Sequence, residues 1–125
     1  MRLLLDTHIY IWAVAGNRRL SASARRMIVD ANDVFVSAAS IWEAAIKTGL
    51  GKLDADPDLL ASEIARSGFI ELPVRAAHAA MVRKLPDIHR DPFDRLLIAQ
   101  ALVEPLRLLT SDESLAAYSD LVVLV

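Results

Sequence analysis

The sequence predicts an α/β fold: a three-layer α/β/α sandwich around a mainly parallel sheet. Three observations carry that reading. Short apolar runs rich in branched residues alternate with longer helix-patterned segments. None of the runs alternates apolar with polar, as expected of strands covered on both faces. Finally, 54% of the 125 residues are hydrophobic and the mean hydropathy is +0.35, enough to bury a sizeable core. The length is that of one average domain, so residues 1–125 are read as a single domain and a two-domain enzyme is excluded.

The strand candidates are Leu3–Leu5, Val34–Val36, Phe69–Leu72 closed by Pro73, and Leu121–Val125, with Leu108–Leu109 a weaker fifth. The N-terminal run superficially resembles a leader peptide, but Asp6 interrupts it early and suits a strand end better. Between the strands lie helices with legible ends. Ser21 is placed to cap a helix carrying Ala24, Met27, Ile28 and Ala31 on one face. Ser37 precedes AASIWEAAIKTG, with Gly49 as the expected C′ residue. Asp56-Pro57 is a cap followed by a first-turn proline, and its helix should stop near Ser67-Gly68. A helix from Val74 to about Lys84 is expected to end before Pro86, and Asp91-Pro92 repeats the cap-and-proline signal ahead of FDRLLIAQALVE. The Gly49–Lys52 stretch reads as a flexible loop and lacks P-loop spacing.

Composition narrows the chemistry. There is no cysteine, which excludes a disulfide scaffold and any thiolate metal site. Three histidines and no histidine pair at ligand spacing leave carboxylates as the main metal donors. A formal charge of −2 gives no global basic field. No apolar stretch approaches the roughly 20 residues of a membrane span, so a cytoplasmic protein is expected.

Ligands of open parallel sheets bind beyond the carboxyl ends of the strands. Asp6 follows the first strand directly, and Ser37, Ser40 and Glu43 follow the second. Asp94 lies in the first turn of the helix capped by Asp91, and Thr110, Ser111 and Asp112 follow Leu108–Leu109. Four acids far apart in sequence thus converge on one edge. Packed carboxylates repel, and a hard divalent cation such as Mg²⁺ or Mn²⁺ resolves the conflict. Such an ion activates water and stabilises charge on a phosphoryl oxygen, which points to metal-assisted phosphodiester hydrolysis.

Each acid also has a plainer reading: Asp6 as a helix cap, Asp94 as a capping-box partner, Glu43 as a solvent-facing residue, Asp112 as a turn residue. His8 and His89 lie near Asp6 and Asp91, where either could touch substrate, but without ligand spacing both are assigned first to surface or structural roles. The Asp54, Asp56, Asp58 run lacks the glycine and distal glutamate of a calcium loop and reads as a solvated loop and cap. Arg18, Arg19, Arg25 and Arg26 read as a solvated face, whereas Arg90 and Arg95 are equally suited to holding phosphates beside the acids. No G-x-S-x-G elbow or Ser/His/Asp order supports nucleophilic hydrolysis.

The strings LLLDTHIYIWA, SAASIWEAAIKTGLGK, HRDPFDRLLIAQA and LLTSDESL resemble, in order and spacing, the successive motifs of PIN-domain ribonucleases, and more narrowly the VapC-type toxins of bacterial toxin–antitoxin pairs. The resemblance spans nearly the whole chain. It implies a parallel sheet of four or five strands flanked by helices, with an acidic Mg²⁺ or Mn²⁺ site formed by Asp6, Glu43, Asp94 and Asp112. Ala99 and Ala101 match the family's small-residue positions after its late-helix Asp, which selects Asp94. Two features depart from the pattern. Leu115 stands where family members often carry an aromatic residue, a difference expected to affect packing more than chemistry. Asp91 is an additional acid, assigned first to capping and second to an outer metal role.

The resemblance implies an RNA endonuclease toxin silenced by a cognate antitoxin, usually as a homodimer. An alternative is a catalytically weak PIN scaffold that binds RNA or a protein partner. A phospho-receiver domain ranks lower. It needs an acidic pair after the first strand and an acceptor Asp after the middle one, where this chain has a single acid and Ser37.

Overall fold

In a computed structural model, which describes residues 1–125, five strands form one parallel sheet in the order β3-β2-β1-β4-β5. The strands are β1 (Arg2–Leu5), β2 (Asp33–Ser37), β3 (Ile70–Leu72), β4 (Arg107–Thr110) and β5 (Val122–Leu124). The helices are α1 (Thr7–Ala15), α2 (Ala22–Asp30), α3 (Ala38–Gly49), α4 (Pro57–Arg66), α5 (Ala76–Met81) and α6 (Pro92–Val103). Two 3₁₀ segments, Val82–Lys84 and Glu113–Tyr118, complete the fold. None of the helices is long and apolar enough to cross a membrane.

Successive side chains of a strand point to opposite faces, and the core divides accordingly. Leu3, Leu5, Val34, Val36 and Leu109 pack beneath α1 to α4 with Ile9, Tyr10, Leu60 and Ile64. Leu4, Leu72 and Leu108 pack on the opposite face with Leu97, Ile98, Leu106 and Leu115. This is the three-layer arrangement, and it explains the uninterrupted apolar runs. Leu108 and Leu109, the weakest strand signal, are completely buried. Leu115, in the place often aromatic in relatives, is a fully buried core residue, so the departure concerns packing.

The caps follow local chemistry. Ser21 accepts from the Ala24 N–H, Ser37 from Ala39, Asp56 from Asp58, and Asp91 from both Phe93 and Asp94. Four expectations need correction. Gly49 is the last residue of α3 rather than its C′ residue; Leu50 follows as cap, and Gly51 takes the left-handed conformation at φ 72°. The Val74–Lys84 helix is shorter: α5 covers Ala76–Met81, and its last turn tightens into 3₁₀. Phe69 precedes β3 rather than joining it, and β5 is trimmed by one residue at each end.

From β1 the chain winds outward to β2 and β3, then returns to the other side for β4 and β5. The direction of winding therefore reverses between β1 and β4, the position where open α/β sheets form their ligand crevice.

Candidate active site

Asp6 and the Thr110–Asp112 turn flank that crevice. Asp6 occupies the N-cap position of α1, yet its side chain makes no capping bond. Its Oδ2 instead accepts from the Thr110 hydroxyl at 2.5 Å, across 104 residues of sequence. Thr110, wholly buried, also accepts from the Asp112 N–H at 3.1 Å, so one hydroxyl ties the ends of β1 and β4 together. The simple-cap reading of Asp6 therefore fails. Burial pushes the Asp6 carboxyl above its ordinary range, against the opposing pull of the Thr110 hydrogen bond.

Glu43 reaches the same place from the first turns of α3. It is buried at 4% exposure, so the solvent-facing alternative is excluded. Its Oε2 accepts from Lys47 Nζ at 2.7 Å, one helical turn on, while its Oε1 is buried with no hydrogen-bond partner. A buried carboxylate oxygen without a partner is costly unless a cation completes it. Beside it, Thr7 donates to Ser40 at 2.8 Å, fixing α1 against α3.

Asp94 completes the group from α6. Asp91 caps that helix, and Asp94 makes no capping-box bond in return, so its carboxylate is left for the crevice. Burial, followed by the negative charges of Asp6, Asp91, Glu43 and Asp112, pushes Asp94 up to about 7. The other three acids named from the sequence, and Asp91, thus lie within electrostatic reach of Asp94. Asp112 is the most open of them at 43% side-chain exposure. Its Oδ1 caps the following 3₁₀ turn through Ser114, and its Oδ2 lies 3.9 Å from His89 Nε2. It is thus a turn residue and a member of the cluster at once.

Two further residues join the site: Lys47, which the sequence did not single out, and His89, for which a structural role was the first expectation. Lys47 is held above its ordinary pKa first by its bond to Glu43, with Asp91 and Asp94 adding to the effect. The i,i+4 Glu–Lys spacing was the available signal. His89 stands 3.8 Å from Asp94 and 3.9 Å from Asp112, in a group able to gather around a cation. By contrast, Arg95 does not face a phosphate site. Its guanidinium donates to the carbonyls of Pro86 and Val82 and to Tyr118, holding the loop before α6. Arg90 is exposed. His8 stays at the surface beside Trp12, and His78 is structural, its ring 2.6 Å from Glu104.

The model of the PIN domain family matches residues 3–121. The chain belongs to the PIN-domain family. It is 31% identical over 121 residues to Ribonuclease VapC22 of Mycobacterium tuberculosis, covering 93% of this chain and 91% of that protein. The PIN fold is also seen in solved relatives of low identity. VapBC2 from Rickettsia felis, bound to a DNA fragment from their promoter, aligns with TM-score 0.70 and 16% identity over 99% of this chain and 97% of that one. A toxin–antitoxin complex from Klebsiella pneumoniae aligns with TM-score 0.67 and 18% identity, covering 97% and 95%.

The donor set suits the divalent cation of a PIN nuclease. Its carboxylate oxygens are hard, one of them is buried without a partner, and their mutual repulsion adds to burial in raising Asp94 to about 7.

Proposed function

We propose that this PIN-domain protein is a Mg²⁺- or Mn²⁺-dependent endoribonuclease, acting in the cytoplasm as the toxin of a toxin–antitoxin pair. The observation that carries the reading is that Asp6, Glu43 and Asp112 act electrostatically on Asp94 beside the sheet's switch point, with Glu43 Oε1 unpartnered and Asp94 driven toward neutrality. These four acids are assigned as the metal-holding and catalytic residues. When bound, the ion supplies Lewis-acid stabilisation of phosphoryl charge and activates the attacking water.

The chain's own residues prepare that chemistry. Thr110 orients Asp6, Asp91 anchors the first turn of α6 so that Asp94 faces the crevice, and Lys47 balances part of the charge of Glu43. The remaining negative charge makes the crevice a dock for a basic side chain, since a guanidinium pairs bidentately with carboxylate. A cognate antitoxin is therefore assigned to this edge, inhibiting by covering it or by inserting an Arg. A homodimer is supported by α3, which exposes Trp42 and Ile46 one turn apart on one face, with Leu50 a turn further on at its cap.

Purified protein should cut RNA with Mg²⁺ or Mn²⁺ and lose that activity in excess chelator. Its far-ultraviolet circular dichroism should stay unchanged, because the apolar core holds the fold. Unfolding on chelation, or a resident zinc ion, would contradict the all-oxygen site.

A further inference from the structure

We propose that His89 binds the substrate, donating its Nε2–H to a non-bridging oxygen of the scissile phosphodiester, and that it is not a metal ligand. The proposal rests on the nuclease reading above and adds a residue to it.

The backbone of His89 is held from two sides. Its N–H donates to the Tyr118 hydroxyl at 2.7 Å, and its carbonyl accepts from that hydroxyl at 3.2 Å and from Arg95 at 3.4 Å. The ring is held as well: the Asp91 N–H donates to Nδ1 at 3.0 Å. A backbone N–H can only donate, so Nδ1 carries the lone pair and the neutral imidazole has its proton on Nε2. That N–H lies 3.8 Å from Asp94 Oδ2 and 3.9 Å from Asp112 Oδ2, near both and hydrogen-bonded to neither.

Geometry alone suggests a His–Asp–Asp metal triad, but the tautomer argues against it. To coordinate a cation through Nε2, the ring would carry its proton on Nδ1, which would then face the Asp91 N–H donor to donor.

A phosphodiester entering this crevice meets carboxylates and needs donors. Lys47 is drawn toward Glu43 by a 2.7 Å ion pair, and Arg95 is spent on Pro86, Val82 and His89 carbonyls and on Tyr118. The Nε2–H of His89 is a fixed donor beside Asp94 and Asp112 that no protein acceptor takes up. Its side chain is 26% exposed, accessible to substrate yet rigidly aimed. A fixed donor facing a phosphoryl oxygen gains strength as negative charge grows there.

The test uses the intact protein. Nitrogen-15 NMR of the wild type should show the Nε2–H tautomer at His89; the Nδ1–H form would overturn the proposal. His89→Asn keeps an acceptor for the Asp91 N–H but removes the donor at the Nε2 position, since its shorter amide does not reach there. It should lower the RNA cleavage rate about 10- to 100-fold, leave Mn²⁺ affinity by titration calorimetry within about threefold, and leave melting temperature unchanged. His89→Gln, which returns an N–H near the Nε2 position, should recover part of the rate. A large loss of Mn²⁺ affinity in the Asn variant would make His89 a ligand, and wild-type cleavage would make it a bystander; either result overturns the proposal. A wild type that binds Mn²⁺ but cuts no RNA would overturn the nuclease reading itself.

Discussion

The two ends of the sheet carry charge very differently. At the amino ends of the strands lies the largest cavity, about 670 Å³, lined by Arg2, Asp33 and Arg107 among others. Its charges are of both signs, and Arg2 is partnered, lying over the Phe35 ring at 5.2 Å. At the carboxyl ends, Asp6, Glu43, Asp91, Asp94 and Asp112 gather with Lys47 and His89 for relief. Two of these acids, Asp6 and Asp94, are pushed above their ordinary range. Size alone would choose the amino end. Incompletely relieved like charge in a partly desolvated setting chooses the carboxyl end, because the fold maintains it at a cost that a bound cation or partner would offset.

Breaking the contrast at its most strained member should give the larger effect. Asp94 binds its proton more tightly in the folded than in the unfolded chain. Its contribution to stability is therefore fully present below about pH 4 and is lost as pH rises through about 7. In chelator, Asp94→Asn escapes that loss. Its melting temperature should match the wild type near pH 4 and exceed it by roughly 3–8 °C at pH 8. Added Mg²⁺ should narrow the gap at pH 8 by stabilising only the wild type. Parallel melting curves across this range would mean that Asp94 is not under the pressure described.

The smaller effect lies at the other edge. Arg107→Ala alters the lining of the largest cavity and touches none of the acids. RNA cleavage by this variant should stay within about twofold of wild type, as for a distant, independent site. A larger loss would move part of the function to the amino end and sharpen the comparison in an unexpected direction.

Much of this was legible in the sequence because the relevant physics is local. Strands covered on both faces read as plain apolar runs, and the caps at Ser21, Ser37, Asp56 and Asp91 act within three residues of themselves. The acids were legible from position: Asp6 and Asp112 lie just past strand ends, and Glu43 and Asp94 lie in the opening turns of helices. The features that stayed hidden depended on distant partners. Arg95 is held by the Val82, Pro86 and His89 carbonyls and the Tyr118 hydroxyl rather than facing phosphate, and His89 owes its aim to Tyr118, 29 residues away. Gly49 failed as a C′ residue because α3 runs on until Gly51 supplies the positive φ.

Asp6→Asn is the most direct test of the claim that the carboxyl-end acids form a metal nuclease site. The substitution keeps the size of the side chain and an acceptor for Thr110, and removes a buried negative charge from a cluster that repels it. Cleavage rate and melting temperature should be measured on the same preparation with Mg²⁺ or Mn²⁺. The account predicts a rate lower by at least about a hundredfold, roughly 3 kcal/mol in the barrier, with a melting temperature unchanged or raised. Asn caps a helix about as well as Asp, so an Asn variant that retains full metal-dependent cleavage would contradict the account and return Asp6 to a structural role.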